Sequence, residues 1–194
     1  MFGSLPVERV RILEDLAYRL HLRIISERRN ADEWSYSLLC AFHQDLFGPL
    51  FPDLAGVLRT RDVSLRDYVV PRPGQIVYRL MDIVGTAREL IACATSMSDV
   101  AEKMVYVMEH GARLHASCVL VQPFIDGNKR WALHVLNAML IDCGFWPGTL
   151  IDLFGVEARA RYLSAIDRAV AGDPDPLAEL ILKGWLSSRD VYRR

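Results

Sequence analysis

The segment Gln122-Pro-Phe-Ile-Asp-Gly-Asn-Lys-Arg130 sets an amide, a carboxylate, a turn glycine and two cations side by side between two long apolar stretches. Pro123 stops a helix and Gly127 permits a left-handed backbone, so the amides of this segment should turn toward a common point where the next helix begins. Such a turn is an anion cradle. Helix N-terminal N–H groups favour negative charge, Asn128 adds a neutral donor, and Lys129 and Arg130 add cations, the guanidinium being suited to a bidentate phosphate contact. Asp126 does not belong in a pure anion site. Beside phosphate-binding groups it makes sense as a ligand for Mg2+, a cation that prefers oxygen and bridges phosphate oxygens. The simpler reading of Asp-Gly-Asn is a capped turn followed by two solvated charges, but two cations at a helix N-terminus oppose the macrodipole.

The elements that must hold this segment are helical. Val7, Val10, Leu13, Leu16, Ala17 and Leu20 recur at spacings of three and four and predict a first amphipathic helix. A second is expected over Trp34 to Phe47, a third over Ile76 to Ala94, and a fourth from a Ser96-x-x-Asp99 entry to about Val121. The helix after the loop should run from Lys129 to Gly144, where glycine gives a left-handed stop and Pro147 follows. Val156 to Ala171 and Leu177 to Leu186 supply the last two. Only Leu50 to Pro73 lacks a helical period, and short β-prone runs in Val63 to Val70 predict a loop or small hairpin there. The fold class expected is all-α, a compact single-domain helical bundle with a hairpin-like flap.

Composition narrows the partners. The chain has 194 residues, 52% of them apolar, and 23 Lys+Arg against 24 Asp+Glu, a formal net charge of -1. No overall field gathers nucleic acid or an anionic membrane, so neither is expected as a partner. No apolar stretch reaches the roughly 20 residues of a membrane span, and the early Glu8, Arg9 and Arg11 argue against a signal peptide. Cys40, Cys93, Cys118 and Cys143 stand singly in apolar contexts without a C-x-x-C pair, which predicts reduced core thiols and a cytoplasmic protein.

The loop resembles that of the Fic/Doc family, whose motif reads His-Pro-Phe-x-Asp/Glu-Gly-Asn-Gly/Lys-Arg between two helices; residues 122–130 match it everywhere but the first position. His43-Gln-Asp-Leu-Phe47, Phe51-Pro52, Ala55-Gly56 and Arg59 look like the family's upstream helix and turn. Leu114-His115 looks like its preceding helix, and Tyr162, Ala165 and Ala169 to Leu177 like its C-terminal helix pair. The resemblance implies a Fic-like domain over 34–186, an N-terminal helix and connection over 1–33 and a tail over 187–194. It also implies that Asp126 holds Mg2+, that Gly127, Asn128, Lys129 and Arg130 bind the phosphates of ATP or another nucleotide, and that Phe124 anchors the loop in the core. A protein target would pair with the flap at Val63, Leu65 and Tyr68, where Pro71 and Pro73 limit the pairing.

Three departures from the family's pattern bear on chemistry. The loop histidine that deprotonates the acceptor hydroxyl is Gln122 here, and losing such a base costs typically ~10² to 10⁴ in rate. His115 stands about two helical turns upstream, roughly 10 Å away, and His134 reads as a core residue. The family's usual Gly is Lys129, and the second Arg is Leu133; both resemble the Doc branch, which phosphorylates its target. These departures predict a non-AMPylating group-transfer enzyme in which Gln122, Asp126, Lys129 and Arg130 occupy the catalytic positions. An inactive Fic-fold binding protein, or an enzyme of different small-molecule chemistry on the same scaffold, remain the alternatives.

Overall fold

A computed structural model describes residues 30–148 and 156–192, together with Pro6, Glu8, Arg9, Ile12, Leu16 and Arg19. The expected first helix, Val7 to Leu20, falls largely outside the described residues. The elements are α1 (Tyr36–Phe47), α2 (Ile76–Ser96), α3 (Val100–Val121), α4 (Asn128–Asp142), α5 (Val156–Val170) and α6 (Asp175–Tyr192), with short 3-10 turns at Ala31–Glu33 and Pro73–Gln75. The fold is all-α, as the periodicity requires.

The helix boundaries differ from the sequence reading for local reasons. Trp34 precedes α1 because Ser35 is the cap, its Oγ accepting from the Leu38 N–H at 3.2 Å. The indole of Trp34 is fully buried instead, and its Nε1 donates to Asp142 Oδ2 at 2.9 Å. Ser96 closes α2 rather than opening α3, its Oγ donating to Cys93 O at 2.7 Å, and the cap of α3 is Asp99, whose Oδ1 accepts from Glu102 N at 2.8 Å. The stop after α4 is of the expected kind. Gly144 has φ +89°, and Phe145 N reaches back to Leu140 O at 2.8 Å, the bond of a Schellman ending. At the far end α6 starts at Asp175 and continues to Tyr192, past Leu186. Of the cysteines, Cys118 and Cys143 are buried thiols, Cys40 is half-buried, and Cys93 lies exposed on the outer face of α2, which corrects the expectation that all four sit in the core.

α3 and α4 form the centre of the bundle. α3 packs against α2, α4 and α6, and α4 is buried at Trp131, Ala132 and every position from His134 to Asp142. A helix surrounded in this way shows no clean apolar stripe. Its polar residues are used internally: Asn137 Oδ1 accepts from Gly148 N at 3.1 Å and Asp142 accepts from Trp34. Gly111 of α3 faces α4, where an added Cβ would meet the flexible end of the Met139 side chain at 2.8 Å. Between α1 and α2 the chain makes no strand, only an isolated antiparallel bridge between Leu65 and Tyr68. Among the described residues no helix is long and apolar enough to cross a membrane.

Candidate functional site

The loop joining α3 to α4 begins and ends in left-handed backbone. Gln122 caps α3 at φ +44°, ψ +58°, and Gly127 precedes α4 at φ +80°. Between them Phe124 turns inward and is fully buried, stacked on the His43 ring at 3.7 Å and edge-on to Trp131.

Most of the loop's polar groups hold the loop itself. Asn128 Oδ1 accepts from Phe124 N at 2.9 Å, and its Nδ2 donates to Phe124 O at 2.9 Å and to Gln122 Oε1 at 3.2 Å. The Gln122 amide is engaged at its other end as well, Nε2 donating to Val119 O at 2.6 Å. Gly127 N donates to Asp126 Oδ1 at 2.7 Å. The amides of Phe124 and Gly127 are therefore not turned toward a common point, and the Asn128 side chain works as a staple rather than as an outward donor. In the first turn of α4 the N–H groups of Asn128, Lys129 and Arg130 have no hydrogen-bond partner among the described residues.

Two side chains from outside the loop fix it in place. His43 on α1 is buried; Gly56 N donates to its Nδ1 at 2.9 Å, so the proton sits on Nε2, which donates to Asp126 O at 3.0 Å. Burial lowers the pKa of His43 to about 4, against smaller opposing effects of Asp126. Arg59, 5% exposed, donates from Nε to Gln122 O at 2.7 Å, from Nη1 to Arg61 O at 2.9 Å and from Nη2 to Pro71 O at 2.5 Å. Its own N–H donates to Pro123 O at 3.0 Å. One buried guanidinium thus joins the loop to both ends of the flap.

The flap is less free than its sequence suggests. Leu65 packs against the core, Tyr68 OH donates to Asp167 of α5, and Arg66, at φ +50°, pairs with the same carboxylate at 2.8 and 2.9 Å. Val63 is half-buried, while Val69 is 97% exposed and makes no hydrogen bond among the described residues.

Above the loop lies a cleft of about 380 Å³ lined by Gln122, Ile125, Asp126, Gly127, Asn128, Lys129, Arg130, Arg159 and Tyr162. The structure therefore brings together every loop residue expected to act, apart from the inward-facing Phe124. Lys129 is half-buried, and its pKa is lowered first by that burial and then by the positive charges of Arg159 and Arg66. Asp126 is the one carboxylate among the lining residues. Among the described residues no cluster of three His, Cys, Asp or Glu could hold a metal ion. A single carboxylate suits Mg2+ that arrives on a phosphate and keeps much of its water, not a metal caged by protein alone.

The other candidate histidines do not reach the reacting space. His134 is buried and absent from the cleft lining. His115 is completely buried beneath it, with Nδ1 3.2 Å from Ala132 O and Nε2 2.8 Å from Tyr162 OH, and burial lowers its pKa to about 4. Leu133 is half-buried and packs on the core. Sequence reasoning missed Arg159, which is remote from the loop in sequence; the only signal was a cation in the first turn of a helix.

Residues 33–140 match the Fic/DOC family. Protein adenylyltransferase fic-1 of Caenorhabditis elegans is 30% identical over 83% of this chain, which spans 29% of that protein. The Fic protein adenylyltransferase of Nematostella vectensis is 25% identical over 77% of this chain and 32% of its own length. The chain thus corresponds to about a third of each of these relatives. Among solved structures, Fic-1 from C. elegans superposes with a TM-score of 0.70 at 27% identity, covering 99% of this chain and 53% of that one. BepC from Bartonella tribocorum, solved with bound AMPPNP, gives 0.68 at 16% identity over 93% of this chain and 87% of its own, a likeness of fold.

Proposed function

Because the chain belongs to the Fic/DOC family, we propose that it is a Fic-type transferase whose 122–130 loop binds the phosphates of a nucleotide, and that its chemistry has moved away from AMP transfer to protein hydroxyls. The observation that carries this reading is Gln122. Its side chain lines the cleft at the position of the motif histidine, held between Val119 O and Asn128 Nδ2. An amide does not take up a proton near neutral pH, so no general base stands there.

What remains is positioning and electrostatic stabilisation. Arg130 and the first N–H groups of α4 bind phosphate oxygens, and Lys129 adds a second cation. Asp126 would hold Mg2+, which supplies neutralisation of phosphate charge when bound. In the transfer, the acceptor oxygen bonds to phosphorus, the bond from phosphorus to the leaving phosphate or nucleotide breaks, and the acceptor's proton passes to solvent instead of to residue 122. A protein acceptor would lie along the flap, where Val69 offers exposed, unbonded backbone. One observation favours the second reading, a binding protein without catalysis: both ends of the Gln122 amide serve the loop.

Calorimetric titration with ATP, AMP and phosphate, with and without Mg2+, followed by labelling of lysate proteins with ATP radioactive at the α- or γ-phosphorus, tests the proposal. Nucleotide binds, α-label transfer is negligible, and Gln122→His raises it. Ready AMP transfer by the unaltered protein, undiminished relative to the histidine variant, overturns the non-AMPylating reading, and absence of nucleotide binding overturns the transferase reading. Binding with no transfer of either label favours the binding protein. If labelling occurs, Val69→Pro abolishes it with nucleotide affinity unchanged; loss of both removes the flap from the reading.

A further inference from the structure

Three cations occupy the first turns of two helices at one cleft. Lys129 and Arg130 open α4, and Arg159 is the fourth residue of α5. Each opposes the macrodipole of its own helix. All three line the same cleft, and among the described residues none of them makes an ion pair or a side-chain hydrogen bond. The chain as a whole is close to neutral, at -1, so this is a local concentration of charge. Asp126, the one carboxylate in the lining, lies on the loop side with Gly127 N bonded to it. Arg66 adds positive charge from the flap, although Asp167 neutralises it.

Three like charges gathered around a single carboxylate leave a net positive charge that suits an anionic ligand. Arg130 and the first N–H groups of α4 account for one phosphate group. Leu133, one turn further along α4, is packed on the core and supplies no cation for the next. Arg159 approaches that space from the other helix, near enough to Lys129 for their charges to interact.

We propose that Arg159 is a specificity-determining residue that, with Lys129, binds the second and later phosphates of a nucleoside di- or triphosphate, in the place that α4 leaves without a cation. The proposal rests on the nucleotide reading above and extends it to a discrimination among nucleotides. Chain-length selectivity is its signature. A group that touches only the outer phosphates affects ATP and ADP and leaves AMP and inorganic phosphate alone.

The test is calorimetry of the full chain and of Arg159→Ala, Arg159→Lys and Arg130→Ala with ATP, ADP, AMP and inorganic phosphate. Arg159→Ala raises Kd for ATP and ADP about tenfold, the scale of one charge-assisted contact, and leaves AMP and phosphate within about twofold. Arg159→Lys recovers part of the loss, and Arg130→Ala weakens all four ligands. Arg159 is exposed, so thermal unfolding of its variants matches that of the parent and excludes misfolding. An unchanged ATP affinity in Arg159→Ala overturns this inference alone, as does an equal loss for AMP and ATP, which would make Arg159 a source of general field. No binding of any nucleotide by the unaltered protein overturns both this inference and the reading beneath it.

Discussion

Arg59 Nε donates to the carbonyl of Gln122 at 2.7 Å, joining two residues 63 positions apart, and the same guanidinium reaches Arg61 O and Pro71 O. Three carbonyls from two segments depend on one buried side chain. Removing it leaves three part-buried carbonyls without their charged donor. Arg59→Ala is expected to lower stability by about 2–4 kcal/mol, read as a shift of the urea midpoint at constant m. Hydrogen exchange should rise at both 61–71 and 122–124. Arg59→Lys restores only part of this, since an ammonium does not span the three carbonyls. Equal midpoints for Arg59→Ala and the parent would refute the role.

Gly127 is required twice over. Its φ is +80°, and a Cβ there would lie 2.5 Å from Phe47 Cε2 and 3.1 Å from His43 Nε2. Gly127→Ala should cost about 2–4 kcal/mol from backbone strain and overpacking together, and should weaken phosphate binding because α4 starts from a displaced turn. In a double-mutant cycle with Phe47→Ala, the combined loss should be smaller than the sum of the single losses. Strict additivity would show that the contact with Phe47 is not what the methyl group meets.

Acid should loosen the support of the loop. His43 has its pKa lowered from the ordinary 6.5 to about 4 by burial, and so has His115. Between those values the unfolded chain binds protons that the folded chain does not, so stability rises with pH and is lost as pH falls from 6.5 toward 4. Each histidine contributes a slope of up to about 1.4 kcal/mol per pH unit. Urea midpoints measured from pH 7 to pH 5 check this, and His43→Asn should show a shallower slope than the parent. Identical slopes would mean that the His43 ring is not held neutral by folding.

How much of this could be read in the sequence depends on the range of the interaction. The loop was legible because its chemistry is contiguous: Pro123, Gly127 and the two cations lie within eight residues of one another. The helices were legible from their periods, with errors of one to a few residues where a cap decided the matter, as at Ser35 and Asp99. What stayed hidden was the use of polar groups across long separations. Asn128 looks like a donor to a ligand until Phe124 and Gln122 are seen to take up its amide. Tyr68 and Arg66 look like the face of a free strand until Asp167 is found beside them. Arg159 carries no motif, since only the packing of α5 brings it to the loop.

The three carbonyls held by Arg59 have a consequence for variation. Arg61 and Pro71 are the two feet of the flap, and one side chain grips both, so the stretch from 62 to 70 is a ring of chain closed at its base by Arg59 and held along its length by Leu65, Arg66 and Tyr68. Changes of length or sequence within the ring, away from Leu65, Arg66 and Tyr68, are expected to end at the Arg59 closure and to leave residues 122 and 123 in place. The flap is in this sense separable from the loop: the stretches between its anchors can vary in length and sequence while residues 122 and 123 keep their register.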